Sequence, residues 1–184
     1  IPDFVTDDLR RQAKAVNFGI VYGMSAFKLS GDLGISRKMA QMYIDNYFKR
    51  YAGVKRFIDE TVETARKTRE VKTLLGRKRK VEEIDAKNGN TRKFAERIAI
   101  NTPIQGSAAD LIKLAMIRME KELLKAGLES RMLLSVHDEI IFEVPENEIE
   151  RVSDLAKEVM ENVYDLKVPL AVNIGWGKNW TQAH

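Results

Sequence analysis

The chain has 184 residues, of which 44% are hydrophobic and 32% charged, with no cysteine and a formal net charge of +4. Such a composition predicts a globular protein with its own core, and it excludes disulfides and thiolate metal sites. No apolar run approaches the roughly 20 residues needed to span a membrane.

The charge is a mild indication of an anionic partner, and the absence of cysteine is typical of a cytoplasmic protein. The chain shows no signal-peptide pattern. Because the first residue is Ile1 rather than Met, we expect a cut, processed or partial chain.

The first predicted helix begins after Thr6, a plausible cap followed by an acidic first turn at Asp7 and Asp8. Helical spacing gives this helix two stripes. One stripe suits a packed core and consists of Leu9, Ala13, Val16 and Ile20. The other sets two cations beside two aromatic rings and consists of Arg10, Lys14, Phe18 and Tyr22. It could hold a ligand with several phosphates and a flat base, or be a solvated face with half-buried aromatics.

Three further helices are predicted before residue 70. The first covers Met24 to Leu33 and ends at Gly34, the second begins at the cap Ser36 and reaches about Tyr51, and the third begins at Gly53. Their aromatic and aliphatic side chains are expected to be core, and they are Ile44, Tyr47, Phe48, Tyr51, Val54, Phe57, Ile58, Thr61, Val62 and Ala65.

A basic turn follows. Glu70 to Leu75 is β-prone, and Gly76 leads into the run Arg77-Lys78-Arg79-Lys80. Such a run is either a solvated turn or a contact to a phosphate backbone, and the second alternative would make binding salt-dependent.

A long helical pattern then runs from Thr91 to about Lys125, and Pro103 is expected to kink or break it near Asn101 or Thr102. Arg97, Asn101 and Gln105 share one row of this helix. Their polar groups suit the acceptors of a minor groove, which are comparable in every base pair. A satisfied polar network between helices is the alternative.

Two apolar runs, Met132 to Val136 and Ile140 to Val144, predict a β-hairpin with His137-Asp138-Glu139 at its tip. A tight turn between two buried strands would hold Asp138 rigidly, as a Mg²⁺ ligand requires. Mg²⁺ rarely binds imidazole, so His137 is expected to form hydrogen bonds instead. Charges that merely keep the turn soluble are the alternative. An amphipathic helix from Ile149 to Val163 and a strand from Val168 to Ile174 complete the prediction.

Three segments carry a resemblance to family A DNA polymerases, the bacterial DNA polymerase I group. Arg-x-x-x-Lys with Phe18 and Tyr22-Gly23 resembles motif B, residues 95–110 resemble the palm helix that touches primer and template, and Val-His-Asp-Glu at 136–139 resembles motif C. The resemblance covers essentially the whole chain and implies an α+β fold. Helical fingers would occupy residues 1–69, and a partial palm with a small antiparallel sheet backed by helices would occupy 70–184.

The resemblance implies that a primer 3′-hydroxyl attacks the α-phosphate of a deoxynucleotide at a site with two Mg²⁺ ions. Arg10 and Lys14 would hold the triphosphate, with Lys14 also a proton donor to pyrophosphate. Phe18 would stack on the incoming base, and Tyr22 would shape the pocket beside the templating position. Phe18 in place of a tyrosine implies poor use of dideoxynucleotides. Asp138 would bind metal, with Glu139 beside it.

The same resemblance implies contacts to primer-template DNA. Arg97, Asn101 and Gln105 would grip the duplex, Arg77 would contact the backbone, and His137 would contact the primer end.

One family feature is missing from the sequence. Motif A, an Asp-Tyr-Ser-x-Ile-Glu type of strand, has no counterpart before Arg10, and two-metal catalysis needs its aspartate. We therefore expect a C-terminal fragment or subunit of a polymerase, inactive alone and poorly soluble, that needs a polypeptide with motif A and the thumb. A non-catalytic nucleic-acid-binding module is the alternative, although such a module would need neither the nucleotide-binding stripe nor Asp138.

Overall fold

The computed structural model of the chain describes residues 5–183, except for the side chain of Asp7. The expected acidic group of Asp7 and the ends of the sequence therefore lie outside the described residues. The chain divides into two compact units, and the second begins at Gly106.

Four helices form most of the first unit, and two of them begin directly after the predicted caps Thr6 and Ser36. The helix predicted from Met24 begins at Ala26, after Ser25, which was not predicted as a cap. The hydroxyl oxygens of Thr6, Ser25 and Ser36 each accept a hydrogen bond from the backbone N–H three residues later, which satisfies one of the free donors at a helix start. Gly34 ends the second helix in the left-handed conformation. The helices are α1 (Asp7–Val21), α2 (Ala26–Leu33), α3 (Arg37–Arg50) and α4 (Ala52–Thr68).

The basic run predicted as a turn lies mostly in a strand of a small hairpin, because Lys78, Arg79 and Lys80 pair with another strand and only Arg77 belongs to the connection. Strands β1 (Glu70–Lys72) and β2 (Lys78–Lys80) pair antiparallel, with Val71 opposite Arg79. A 3₁₀ turn, Glu82–Asp85, leads from β2 toward the long helix α5 (Gly89–Lys125). The core of this region joins α4, the hairpin, the 3₁₀ turn and α5 through Ala65, Val71, Val81, Ile84, Ala95 and Ala99.

Helix α5 continues through Pro103, so a break near Asn101 or Thr102 is not found. Proline removes one backbone donor and crowds the carbonyl oxygen four residues earlier, yet the helix continues on both sides over 37 residues. The hydroxyl of Thr102 adds a hydrogen bond of 2.7 Å to the carbonyl oxygen of Ile98 at the same place. Threonine hydroxyls bound in this way often bend a helix without ending it.

The second unit contains the predicted β-hairpin and amphipathic helix. Strands β3 (Arg131–Val136) and β4 (Glu139–Glu143) pair antiparallel and are followed by α6 (Ile149–Glu161). The hairpin and α6 pack against the C-terminal part of α5. Their shared core includes Met119, Leu123, Val152 and Ala156, together with the partly buried Met132 and Phe142.

Two expectations about strands are wrong. Residues 168–174 form no strand in the described structure, because β3 and β4 pair only with each other and offer this segment no ladder. Val168 is 74% exposed. The strands of the hairpin are not both buried either, since Leu133 and Leu134 of β3 are exposed. A two-stranded sheet covered on one face leaves the other face open.

Some expected core residues also lie at the surface. Leu9, Tyr51 and Phe57 are exposed, and of the apolar stripe of α1 only Ile20 is fully buried. The N-terminal turns of α1 thus lack a packing partner among the described residues.

The predicted α+β class is confirmed, because helices dominate and the strands form two small antiparallel sheets. The boundary between fingers and palm after residue 69 stays a prediction. No helix in the described part of the chain is long and apolar enough to cross a membrane.

Candidate nucleotide and nucleic-acid sites

The stripe Arg10, Lys14, Phe18 and Tyr22 forms an open face of α1. Arg10 and Lys14 are exposed, and neither makes an ion pair with another described residue. The neighbouring Arg11 differs, because its guanidinium pairs with the carboxylate of Asp8. Two cations therefore remain available on the stripe.

The aromatic half of the stripe is organised as a stack. The rings of Phe18 and Tyr22 are nearly parallel, with 6.2 Å between centroids and 10° between planes. Phe18 is 57% exposed, whereas Tyr22 is half-buried. A flat ligand could cover the open part of Phe18 while the Tyr22 ring supports Phe18 from its own side.

The end of α1 lies beside α5. Gly23 has a φ of 77°, and a Cβ at this position would come within 3.3 Å of Cγ of Arg97. The central carbon of the Arg97 guanidinium lies 5.8 Å from the centroid of the Phe94 ring. The first unit therefore brings the helix that resembles motif B next to the start of the predicted DNA-binding row. Sequence spacing gives no sign of this contact, because it joins residues far apart along the chain.

The row Arg97, Asn101 and Gln105 is only partly satisfied within the protein. Arg97 and Gln105 are exposed, while Asn101 is half-buried. The side-chain oxygen of Asn101 is buried and accepts no hydrogen bond from the residues that the structure describes. Buried polar atoms normally have partners, so a fully satisfied network between helices does not account for Asn101.

The basic hairpin has a defined turn. The backbone N–H of Thr73 donates to the carbonyl oxygen of Arg77 at 2.9 Å, and Gly76 adopts a left-handed φ of 83°. All four residues of the basic run are exposed. Lys78 pairs with Glu70 at 3.0 Å, and Nη1 of Arg79 lies 3.5 Å from the hydroxyl oxygen of Thr102. The hairpin thus presents cations beside the middle of α5.

Ion pairs that the sequence did not predict support the base of this hairpin. Arg69 has a left-handed φ of 60° at the end of α4, and its guanidinium pairs with Asp85 at 2.7 Å. Arg66 pairs with Glu96 of α5 at 2.6 Å. Only the fold brings these charges together, so no spacing rule could have found them.

In the second unit, motif C forms a two-residue turn. Val136 pairs with Glu139 across the strands, so His137 and Asp138 make the turn and Glu139 begins β4. His137 has a φ of 52°, a conformation that costs a non-glycine residue about 1–3 kcal/mol. Both turn residues are exposed.

The metal-binding capacity of the described residues is limited. No three side chains of histidine, cysteine, aspartate or glutamate gather in the described part of the chain. Asp138 offers a carboxylate on a rigid turn, with Glu139 next in sequence. This donor set fits one side of a site for a hard cation.

The sequence profile of DNA polymerase family A matches residues 1–182. The chain belongs to DNA polymerase family A. The resemblance drawn from the three motifs is thereby confirmed. This chain is similar to one region of the polymerase domain of DNA polymerase I.

Similar proteins support the same assignment. The chain is 52% identical over 182 residues to DNA polymerase I of Streptococcus pneumoniae, covering 99% of this chain and 21% of that protein. It is 51% identical over 181 residues to DNA polymerase I of Bacillus subtilis, covering 98% and 21%. The chain therefore spans about a fifth of the length of these relatives.

A solved structure has the same fold. It is the POL domain of Pol1 from M. smegmatis in complex with DNA primer-template and dNTP. The TM-score is 0.94 at 46% identity, covering 98% of this chain and 32% of that one.

Proposed function

We propose that this chain provides the nucleotide-binding helix and part of the metal site of a template-directed DNA polymerase. The proposed reaction transfers a deoxynucleotide from its triphosphate to a primer 3′-hydroxyl. The observation that carries the proposal is the open face of α1, with two available cations followed by the Phe18–Tyr22 stack. Along α1 the two cations precede the two aromatic rings, which is the order of triphosphate and base in a nucleotide.

Each residue of this face has a role that follows from its chemistry. Arg10 and Lys14 bind triphosphate oxygens through charge-assisted hydrogen bonds. Lys14 also carries a proton that it can give to the leaving pyrophosphate. Phe18 stacks on the incoming base, and Tyr22 fixes the position of the Phe18 ring.

Primer-template DNA is the proposed second ligand. The exposed Arg97 and Gln105 can donate to minor-groove acceptors, and Asn101 lies between them in the same row of α5. Arg77 contacts the backbone from the basic hairpin, and His137 contacts the primer end.

Mg²⁺ is the proposed cofactor, with Asp138 as its ligand and Glu139 beside it. Bound Mg²⁺ would lower the pKa of the primer hydroxyl and neutralise charge on the transferred phosphate. Since no third metal-binding group lies near these two among the described residues, a further carboxylate must come from elsewhere. We propose that residues bearing motif A supply it, from the same or another polypeptide, along with the thumb.

The test is primer extension with Mg²⁺ and four deoxynucleotides, using this chain alone and then with a polypeptide that carries motif A and the thumb. We call the second mixture the reconstituted polymerase. Extension is expected only in the reconstituted polymerase, and Asp138→Ala should abolish it. Asp154→Ala is the matched control, because Asp154 is an exposed aspartate of α6. Extension by the chain alone would show that it needs no second aspartate.

A non-catalytic nucleic-acid-binding module is the second candidate, favoured by the incomplete metal-binding group and the basic hairpin. Triphosphate binding separates the two. Lys14→Ala should raise the Kd for a deoxynucleotide by about tenfold, the loss of one charge-assisted contact. Arg11→Ala should not, because Arg11 pairs with Asp8. Equal affinity in both variants would favour the binding module.

A further inference from the structure

One carboxylate in the second unit accepts an unusual number of hydrogen bonds. Glu148 accepts from the backbone N–H of Glu129 at 3.0 Å and from that of Ser130 at 3.0 Å. It also accepts from the hydroxyl of Ser130 at 2.5 Å. Ser130 is buried, although Glu148 itself is only half-buried.

These hydrogen bonds join segments on the two sides of the β3–β4 hairpin. Glu129 and Ser130 immediately precede β3, whereas Glu148 follows β4 and stands at the start of α6. The three hydrogen bonds therefore tie together the two open ends of the β3–β4 hairpin. The ion pair of Arg131 and Glu143, at 2.8 Å, is the next link toward the turn.

The register of this hairpin requires an interaction beyond the pairing of its two strands. The pairing of β3 with β4 is irregular between Met132 and Leu134, and neither strand has another partner among the described residues. A slip of one residue would move every side chain to the opposite face. It would also replace the two residues of the turn, one of which is the strained His137.

The hydrogen bonds to Glu148 are of the strong kind. They lower the pKa of the Glu148 carboxyl, first through the Ser130 hydroxyl and then through the backbone N–H of Glu129, and the nearby charge of Arg151 contributes. The group is therefore ionised at neutral pH. Hydrogen bonds to an ionised carboxylate are roughly twice as strong as those between neutral groups.

We propose that Glu148 is a positioning residue for Asp138. It closes the open end of the hairpin and so holds the turn that carries Asp138 in one register. This inference rests on the proposed function, in which Asp138 binds Mg²⁺. Glu148 itself touches neither metal nor substrate.

The experiment compares Glu148→Gln with Glu150→Gln in the reconstituted polymerase. Glutamine keeps the size of the side chain but loses its charge and one acceptor oxygen, so it cannot accept all three hydrogen bonds. Glu150 is an exposed glutamate in the first turn of the same helix, and its variant controls for the lost charge. Two measurements are made: Mg²⁺-dependent primer extension and hydrogen exchange of the backbone amides of residues 132–136.

For Glu148→Gln we expect kcat to fall about tenfold, as a small misplacement of a metal ligand would cause. The Mg²⁺ concentration for half-maximal rate should rise severalfold. The KM for deoxynucleotide should stay close to that of the wild type, because the proposed triphosphate ligands Arg10 and Lys14 are unchanged. The hairpin amides should exchange faster than in Glu150→Gln. A loss of stability alone would not change the Mg²⁺ dependence of the folded enzyme.

Wild-type kcat and Mg²⁺ dependence in Glu148→Gln would overturn the inference, as would lost activity without faster exchange of the hairpin. If the unmodified mixture does not extend primers, the proposed function fails instead. The exchange measurement then still decides whether Glu148 holds the hairpin, and equal rates in the two variants would reject it.

Discussion

At the scale of single residues, local chemistry decides some features and the fold decides others. Thr6 and Ser36 cap the helices that their positions predict, because a cap depends on only three neighbouring residues. Arg97 beside Gly23 and Glu148 beside Ser130 could not be predicted. Each joins residues that are close only after the chain has folded.

Glu148 makes stability depend on pH. Its pKa is lowered in the folded state, so the unfolded chain binds this proton more readily. The stabilisation is therefore complete above the ordinary pKa near 4.5 and is lost as the pH falls through the lowered value. We expect the stability difference between the wild type and Glu148→Gln to shrink as the pH falls from 6 toward about 3. Urea unfolding at several pH values measures it, and a pH-independent difference would contradict this account.

At the scale of elements, the sequence predicted helix starts better than helix interruptions or isolated strands. The helices α1 to α4 follow from spacing, caps and glycine. Pro103 did not end α5, because the neighbouring turns outweigh one lost hydrogen bond. Residues 168–174 have the composition of a strand, but a strand also requires a partner, and none is present in the described structure.

Two glycines of one element, α2, are expected to respond in opposite directions to alanine. Gly31 lies within the helix and Gly34 ends it with a φ of 65°, and a Cβ at either position meets no atom within 4 Å. Backbone conformation alone therefore decides whether alanine stabilises or destabilises the chain at each position. Gly31→Ala should stabilise the chain by about 0.5–1 kcal/mol, whereas Gly34→Ala should destabilise it by about 1 kcal/mol. Urea unfolding measures both changes, and equal signs would mean that Gly34 does not hold this conformation in solution.

The basic hairpin is the element whose function depends most on salt. If Arg77 contacts one phosphate, Arg77→Ala should weaken binding to primer-template DNA and reduce the slope of log K against log salt by about 0.9. Lys157→Ala, an exposed cation on α6, removes the same charge elsewhere and should leave the slope unchanged. Affinity titrations between 50 and 200 mM salt, about the range over which such contacts weaken strongly, provide the measurement. Identical slopes in both variants would indicate a solvated turn.

At the scale of the whole molecule, the resemblance carried by three short segments predicted both the fold class and the family correctly. The division of the chain at Gly106 was not predicted. It falls inside α5, where an unbroken helical pattern gives no sign of a boundary.

The second unit has exposed apolar side chains that the proposed partner could cover. Its exposed apolar side chains include Leu133, Val168, Trp176 and Trp180, and exposed apolar patches are typical of surfaces that another polypeptide covers. The chain alone is therefore expected to associate with itself. Adding the polypeptide that carries motif A and the thumb should reduce this association.

The two tryptophans of the sequence are both exposed. Their fluorescence can therefore show whether the partner polypeptide covers this surface. In the reconstituted polymerase, tryptophan emission from this chain should shift to shorter wavelength, because the indoles leave water. A partner without tryptophan keeps the signal specific, and Trp176→Phe and Trp180→Phe show which ring responds. Restored primer extension without a shift would mean that the partner completes the metal site but leaves the C-terminal segment uncovered. A shift without extension would mean that the surfaces meet while the proposed second aspartate is missing or misplaced.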